Sequence, residues 1–222
     1  MKFYLIRHGE TTANTGENNN HQPMPLPNPV IPLTEKGKQQ AKQLSEFLNQ
    51  YVYSQGIEAQ QSVVLTSSFL RTKMTAEPFI ADNPHILVME DHAIVEVNYG
   101  AIEFSYLRGL YEEEEKYYHY CREVAGEFFT RPPLGETPHD IAIRIRQFLP
   151  TFTAEMERKG IEHVFLFGHG VTNKVIIMEL LKETPAFFEK DAFALNTSVR
   201  LIDNGQDAGW IYLNPLEVEQ VV

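Results

Sequence analysis

The chain has a single cysteine, Cys121, in 222 residues. No intramolecular disulfide can form, which fits a reducing compartment. Positive charge is also scarce: 19 lysines and arginines stand against 30 acidic residues, for a formal net charge of −11. Such a surface repels phosphate backbones and acidic lipid headgroups, so neither nucleic acid nor a membrane is an expected partner. Long apolar runs are absent. The first, FYLI, is cut off by Arg7, too short for the apolar region of a signal peptide or for a membrane span. These shortages lead to the expectation of a soluble, cytoplasmic protein, and they leave its oligomeric state open.

What is present suffices for a core. Hydrophobic residues make up 43% and charged residues 22% of the chain, an ordinary globular composition. The length suits one domain. Residues 3–6 and 63–66 read as fully buried strands, 86–89 as a third, 163–167 as a fourth, and 199–202 and 210–213 as closing strands. Helices fall between them. Thr34 caps one, with Ala41, Leu44, Phe47, Leu48 and Tyr51 on a single face. A second covers 69–81. Thr137, Pro138 and Asp140 spell a capped start with a capping box, followed by the stripe Ile141, Ile145, Phe148, Leu149 and Phe152. Another helix covers 171–182.

The alternation of strand and helix is the α/β pattern, a three-layer sandwich in which a mostly parallel sheet carries helices on both faces. Two stretches depart from it. Residues 14–32 form a long loop rich in asparagine and proline, and loops of that length are usually functional or disordered. Residues 91–135 carry six tyrosines and interleaved glutamates, and read as a helical, cap-like insertion within a single domain spanning 1–222. The run Glu112–Glu115 reads as a solvated helix face.

The chemistry-bearing residues stand after strands. Arg7, His8 and Gly9 follow the first, Ser67, Ser68 and Arg71 the second, and Gly168, His169 and Gly170 the fourth. Ligands of open α/β sheets bind beyond the carboxyl ends of the strands, so three segments can bring two arginines and two histidines to one edge. Guanidinium forks match the oxygens of a phosphoryl group. Glycines and a helix N-terminus let backbone N–H groups approach it. A histidine among cations stays neutral and nucleophilic. Each residue alone is ordinary at a strand end or helix start; their convergence at one edge points to an anion site. His8, His169 and Glu96 could in principle ligate zinc, but the neighbouring arginines repel a cation and no close-spaced ligand motif appears. Neither metal nor cofactor is expected.

The stretch LIRHGETTAN, with Asn14 six residues after His8, resembles the signature of the histidine phosphatase superfamily, the phosphoglycerate-mutase-like proteins. PLTEKGKQQA, TSSFLRTKMTAEPF, GET at 135–137 and FGHG at 167–170 resemble its later motifs, so the similarity runs along nearly the whole chain. It implies the phosphoglycerate-mutase-like fold and a phosphomonoester hydrolase working through a phosphohistidine on a small phosphorylated metabolite. His8 would be the nucleophile, Arg7 and Arg71 the phosphate clamp, and His169 a donor to a phosphoryl oxygen. Asn14 and the Gly170 backbone N–H would add contacts. In EVNYGAIE, Glu96 keeps the family's spacing to Gly100 and would be the general acid and then base; Glu103 is the rival, and Glu10 would brace its loop. Three departures concern the rim of the pocket: HGVTNK lacks a further glycine and arginine, Phe104 replaces a glycine, and the loop 14–32 is long. A mutase and a non-catalytic phosphate-binding module are the competing functions. Ala13 stands where true mutases often carry tryptophan.

Overall fold

The computed structural model describes residues 1–13, 26–103 and 110–218. Six strands form one sheet in the order β3-β2-β4-β1-β5-β6: β1 is Lys2–Arg7, β2 Ser62–Ser67, β3 Leu87–Asp91, β4 His163–Gly168, β5 Val199–Asp203 and β6 Gln206–Tyr212. The first four in that order run parallel, and β5 and β6 are antiparallel additions on the side of β1. The expected α/β architecture with a mostly parallel sheet is the one observed.

Burial along the strands follows their place in the order. All six residues of β2 are buried, as are all of β4 but the first, whereas β3 at the edge alternates between partly buried and exposed. In the central strands the period of two sends side chains to two separate cores. Phe3, Leu5, Val63, Leu65, Val164 and Leu166 pack on one face against Ile141, Ile145, Leu149 and Phe152. Tyr4, Ile6, Val64, Phe165 and Phe167 pack on the other against Leu44, Leu48, Ala76 and Phe79. The helices supplying these side chains are α1 (Glu35–Gln55) and α2 (Leu70–Asp82) on one face and α4 (Pro138–Arg158) and α5 (Gly170–Leu181) on the other, with α3 (Glu112–Ala125) lying in the chain before α4. Burying each large aliphatic or aromatic side chain contributes about 1.5–3 kcal/mol.

Local signals set the helix ends. The Thr34 hydroxyl accepts the Gly37 N–H at 3.0 Å and starts α1. At α4, the Thr137 hydroxyl accepts the Asp140 N–H at 3.0 Å while the Asp140 carboxylate accepts the Thr137 N–H at 2.7 Å, the reciprocal box expected from the sequence. The glutamate run opens α3 with Glu112–Glu114 exposed, where negative charge suits a helix N-terminus.

Three features differ from expectation. Within 91–135, α3 is the one α-helix among the described residues, and the preceding stretch holds two 3-10 turns, His92–Ile94 and Gly100–Ile102. A further short helix, α6 (Pro185–Lys190), follows α5. β6 begins at Gln206, four residues before the expected start at Trp210, because Asn204 and Gly205 both take positive φ, 49° and 77°, and turn the chain straight back on β5. Asn-Gly is the favoured pair for that tight hairpin turn.

The capping box predicts a modest stability effect. Thr137→Ala should lose about 1 kcal/mol, lowering the melting temperature by about 2–4 °C in a chain of this size. Thermal unfolding followed by circular dichroism checks this, and an unchanged melting temperature would show that the box adds nothing.

Candidate active site

The parallel pairing of β1 with β4 sets Arg7 opposite Gly168. The next residues, His8 and His169, therefore leave the sheet side by side, with ring centroids 5.3 Å apart. On the other side of β4, Thr66 of β2 lies opposite Phe167, so Ser67 and the first turn of α2, with Arg71, arrive at the same edge. The four residues expected to converge do converge, and the two histidines and Arg71 are buried.

The two histidines are held differently. His8 Nδ1 lies 2.7 Å from the Gly9 carbonyl. A carbonyl only accepts, so Nδ1 carries the proton and Nε2 keeps its lone pair. His169 Nε2 lies 2.8 Å from the Ser67 hydroxyl, while its buried Nδ1 has no partner. Both imidazoles are held well below the usual histidine range. Burial is the larger cause for each, followed by the charge of Arg71. Desolvation thus outweighs the effect expected from neighbouring cations alone.

Arg71 is buried and Arg7 partly so, and both remain cations. Burial draws Arg71 down to about 10, with nearby Glu96 and Glu103 opposing, and draws Arg7 down in the same direction. Arg71 Nη1 donates to both the backbone and side-chain oxygens of Asn28, at 2.9 and 2.8 Å, and the Asn28 amide donates to Glu103 at 3.0 Å. Its guanidinium carbon sits 4.8 Å over the Phe69 ring. Arg7 Nη1 donates to the Ala194 carbonyl at 2.7 Å, and its guanidinium lies 4.7 Å over Phe193. The loop carrying Phe193 and Ala194 is anchored by Arg200, which holds the Asp191 carboxylate with two contacts of 2.7 and 2.8 Å. Phe193 closes over Gly170, where a Cβ would come within 2.3 Å of the ring and displace it.

Glu96 sits at the N-terminus of α5. Its carboxylate accepts the N–H groups of Val97 at 3.0 Å, Thr172 at 3.1 Å and Val171 at 3.3 Å, and the Thr172 hydroxyl lies 3.0 Å away. Arg144 of α4 fixes the approach of this segment by donating to the carbonyls of Ala93 and Val95 at 2.9 and 2.6 Å. Glu103 instead accepts the Tyr99 N–H at 2.9 Å as well as the Asn28 amide, and burial pushes its carboxyl upward. Glu10 accepts the Thr34 hydroxyl at 2.8 Å and pairs with Lys36 at 3.0 Å, the bracing arrangement expected. Asn14 and Phe104 lie outside the described residues.

Several members of this edge carry no signal of their own in the sequence. Asn28, Phe193, Ala194 and Arg144 are separated in the chain from every motif and reach the site only through tertiary packing. Ser67 was within reach of sequence reasoning, since it ends β2, but nothing in the chain pairs it with His169.

Arginine pairs, neutral imidazoles and a helix N-terminus around one point form a site for a tetrahedral anion. No group of three or more histidine, cysteine, aspartate or glutamate side chains among the described residues is arranged to hold a metal ion. The comparisons agree with this chemistry. Residues 3–213 match the model of the histidine phosphatase superfamily (branch 1). A 2,3-bisphosphoglycerate-dependent phosphoglycerate mutase 2 from Gloeobacter violaceus is 31% identical over 170 residues, covering 72% of this chain and 69% of the relative. A protein named "probable phosphoglycerate mutase GpmB" from Cronobacter sakazakii is 29% identical over 215 residues, covering 95% and 90%. Among solved structures, a mycobacterial glucosyl-3-phosphoglycerate phosphatase aligns with a TM-score of 0.71 at 20% identity over 96% of this chain and 98% of its own. The alpha-ribazole phosphatase of Shigella flexneri aligns at 0.70 with 21% identity over 96% of each chain. The chain belongs to the histidine phosphatase superfamily.

The buried neutral histidines predict how stability depends on pH. Their folded-state values are depressed, whereas in the unfolded chain they protonate near the ordinary value of about 6.5. The unfolded state therefore binds more protons, and stability falls as pH drops through about 6.5. The melting temperature should decline between pH 7 and pH 5, and His169→Gln should flatten that decline. A variant with an unchanged slope would contradict the assignment.

Proposed function

We propose that this member of the histidine phosphatase superfamily is a phosphomonoester hydrolase that acts on a small phosphorylated metabolite through a phosphohistidine at His8. The observation that carries this reading is the fixed tautomer of His8. Its Nδ1–H is spent on the Gly9 carbonyl, which leaves Nε2 as a lone-pair nucleophile beside two cations.

In the first step Nε2 attacks phosphorus and the bond to the substrate oxygen breaks. That oxygen takes a proton from the Glu96 carboxyl group. In the second step water attacks the phosphohistidine, Glu96 takes a proton from that water, and the P–N bond breaks to release phosphate. Arg7 and Arg71 neutralise the charge on the transferring group, His169 donates to one of its oxygens, and Asn14 and the Gly170 N–H complete its binding. Without substrate, the Glu96 side chain accepts the N–H groups at the N-terminus of α5, a place for which an arriving phosphate competes. Glu103, tied to Asn28 and the Tyr99 N–H, is read as a structural brace.

The relatives named as phosphoglycerate mutases support a second reading, in which the phosphoryl group returns to another hydroxyl of a bound phosphoglycerate. Ala13, in the place where mutases often carry tryptophan, favours hydrolysis. Incubation with 3-phosphoglycerate, with and without bisphosphoglycerate, separates the two by phosphate release against isomerisation. No helix among the described residues is long and apolar enough to cross a membrane, and the single cysteine supports a cytoplasmic location.

Glu96→Gln should slow an alkyl phosphate by about 10²–10⁴-fold and an aryl phosphate far less, because nitrophenolate leaves without a proton. The same selective loss in Glu103→Gln, with Glu96→Gln nearly unaffected, would transfer the role to Glu103. Vanadate should inhibit, as a mimic of the phosphoryl transition state, and EDTA should leave activity intact. Loss of activity in EDTA with recovery on adding a divalent metal would overturn the metal-free mechanism.

A further inference from the structure

Ser67 ends β2 with no exposure to solvent, and its hydroxyl meets two groups. The Phe69 backbone N–H donates to Oγ at 3.1 Å, and His169 Nε2 lies 2.8 Å from the same oxygen. A hydroxyl has one proton to give and two lone pairs. The Phe69 N–H occupies one lone pair. If Nε2 carried a proton and donated to the other, the hydroxyl hydrogen would be buried with no acceptor, a costly arrangement. If the hydroxyl instead donates to the Nε2 lone pair, every group around Ser67 is satisfied.

We infer that Ser67 is a positioning residue that fixes His169 as its Nδ1–H tautomer and so makes Nδ1 the ring's donor to the transferring phosphoryl group. The unpartnered buried Nδ1 of His169 is the matching observation. It is a donor with no acceptor until an anion enters beside His8, whose ring centroid is 5.3 Å away. The tautomer matters because burial and the neighbouring cations keep this imidazole neutral. A neutral ring has one N–H, and the other tautomer would turn a lone pair toward the phosphate oxygens and repel them. The two histidines thus carry the same tautomer for opposite purposes. His8 spends its Nδ1–H on Gly9 and frees Nε2 to attack, and His169 spends its Nε2 on Ser67 and frees Nδ1–H to donate.

This inference rests on the phosphoryl-transfer reading above but has its own readout. Nitrogen-15 spectra of histidine-labelled protein distinguish a pyrrole-type from a pyridine-type ring nitrogen, with or without turnover, and His169→Gln identifies the signals. The wild-type protein should show His169 protonated at Nδ1, and Ser67→Ala should show a mixture of tautomers. The kcat of Ser67→Ala should fall about 10–100-fold, as when the outer hydrogen-bond partner of a metal-bound histidine is removed, with a smaller change in KM. Ser67→Cys, whose thiol is a weak donor of similar size, should restore part of both the tautomer ratio and the rate, and it carries the test if Ser67→Ala does not fold. A wild-type His169 protonated at Nε2, or a Ser67→Ala protein with an unchanged tautomer, overturns the inference even if the protein is an active phosphatase. Failure of the phosphatase reading would appear separately, as a His8→Ala variant as active as the wild type.

Discussion

The site depends on one register. Pairing β1 with β4 so that Arg7 lies opposite Gly168 brings His8 and His169 together. A slip of one residue would send every β1 side chain to the wrong core, because the strands bury alternate residues on two faces. The hydrophobic pattern that separates Tyr4 and Ile6 from Phe3 and Leu5 therefore fixes the position of the polar residues at the strand end. The core and the site are consequences of the same pairing, and residues deep in the sheet decide where the imidazoles stand.

The second constraint is electrostatic. Two guanidinium groups and two imidazoles share a desolvated edge, and burying cations together is costly without opposite charge. Among the described residues, the partners of the clamp are carbonyls and ring faces rather than direct salt bridges. Carbonyls of Asn28 and Ala194 and the faces of Phe69 and Phe193 hold the arginines, and Glu96 lies near both while its oxygens rest on the N-terminus of α5. Such an arrangement is completed by an anion. Burial governs the state of the histidines, and the neighbouring cations act in the same direction.

The fold was legible because its signals are periodic or local. Short unbroken apolar runs mark the strands, helical stripes mark α1 and α4, and Thr137 with Asp140 marks a helix start in full detail. The motif residues Arg7, His8, Arg71 and His169 were legible because strand ends and chain order place them without tertiary knowledge. The missed parts have other causes. The early start of β6 was written in Asn204-Gly205, a turn signal overlooked beside the stronger apolar run that follows. The partners Asn28 and Phe193 sit in loops whose seating depends on the folded sheet, and no spacing in the chain encodes them. The division of labour between Glu96 and Glu103 depends on which backbone N–H groups each carboxylate meets, and that too exists only in the folded chain.

The central claim is that His8 accepts the phosphoryl group. Rapid acid-free quenching of the enzyme during turnover of a phosphomonoester, followed by mass spectrometry of its peptides under alkaline conditions that preserve phosphohistidine, tests it directly. The account predicts one added phosphoryl group on the peptide containing His8, accumulating further in Glu96→Gln with an aryl phosphate, whose leaving group needs no proton while water is no longer activated. Turnover with no phosphoryl group on His8 under any quenching condition, in either protein, would contradict it.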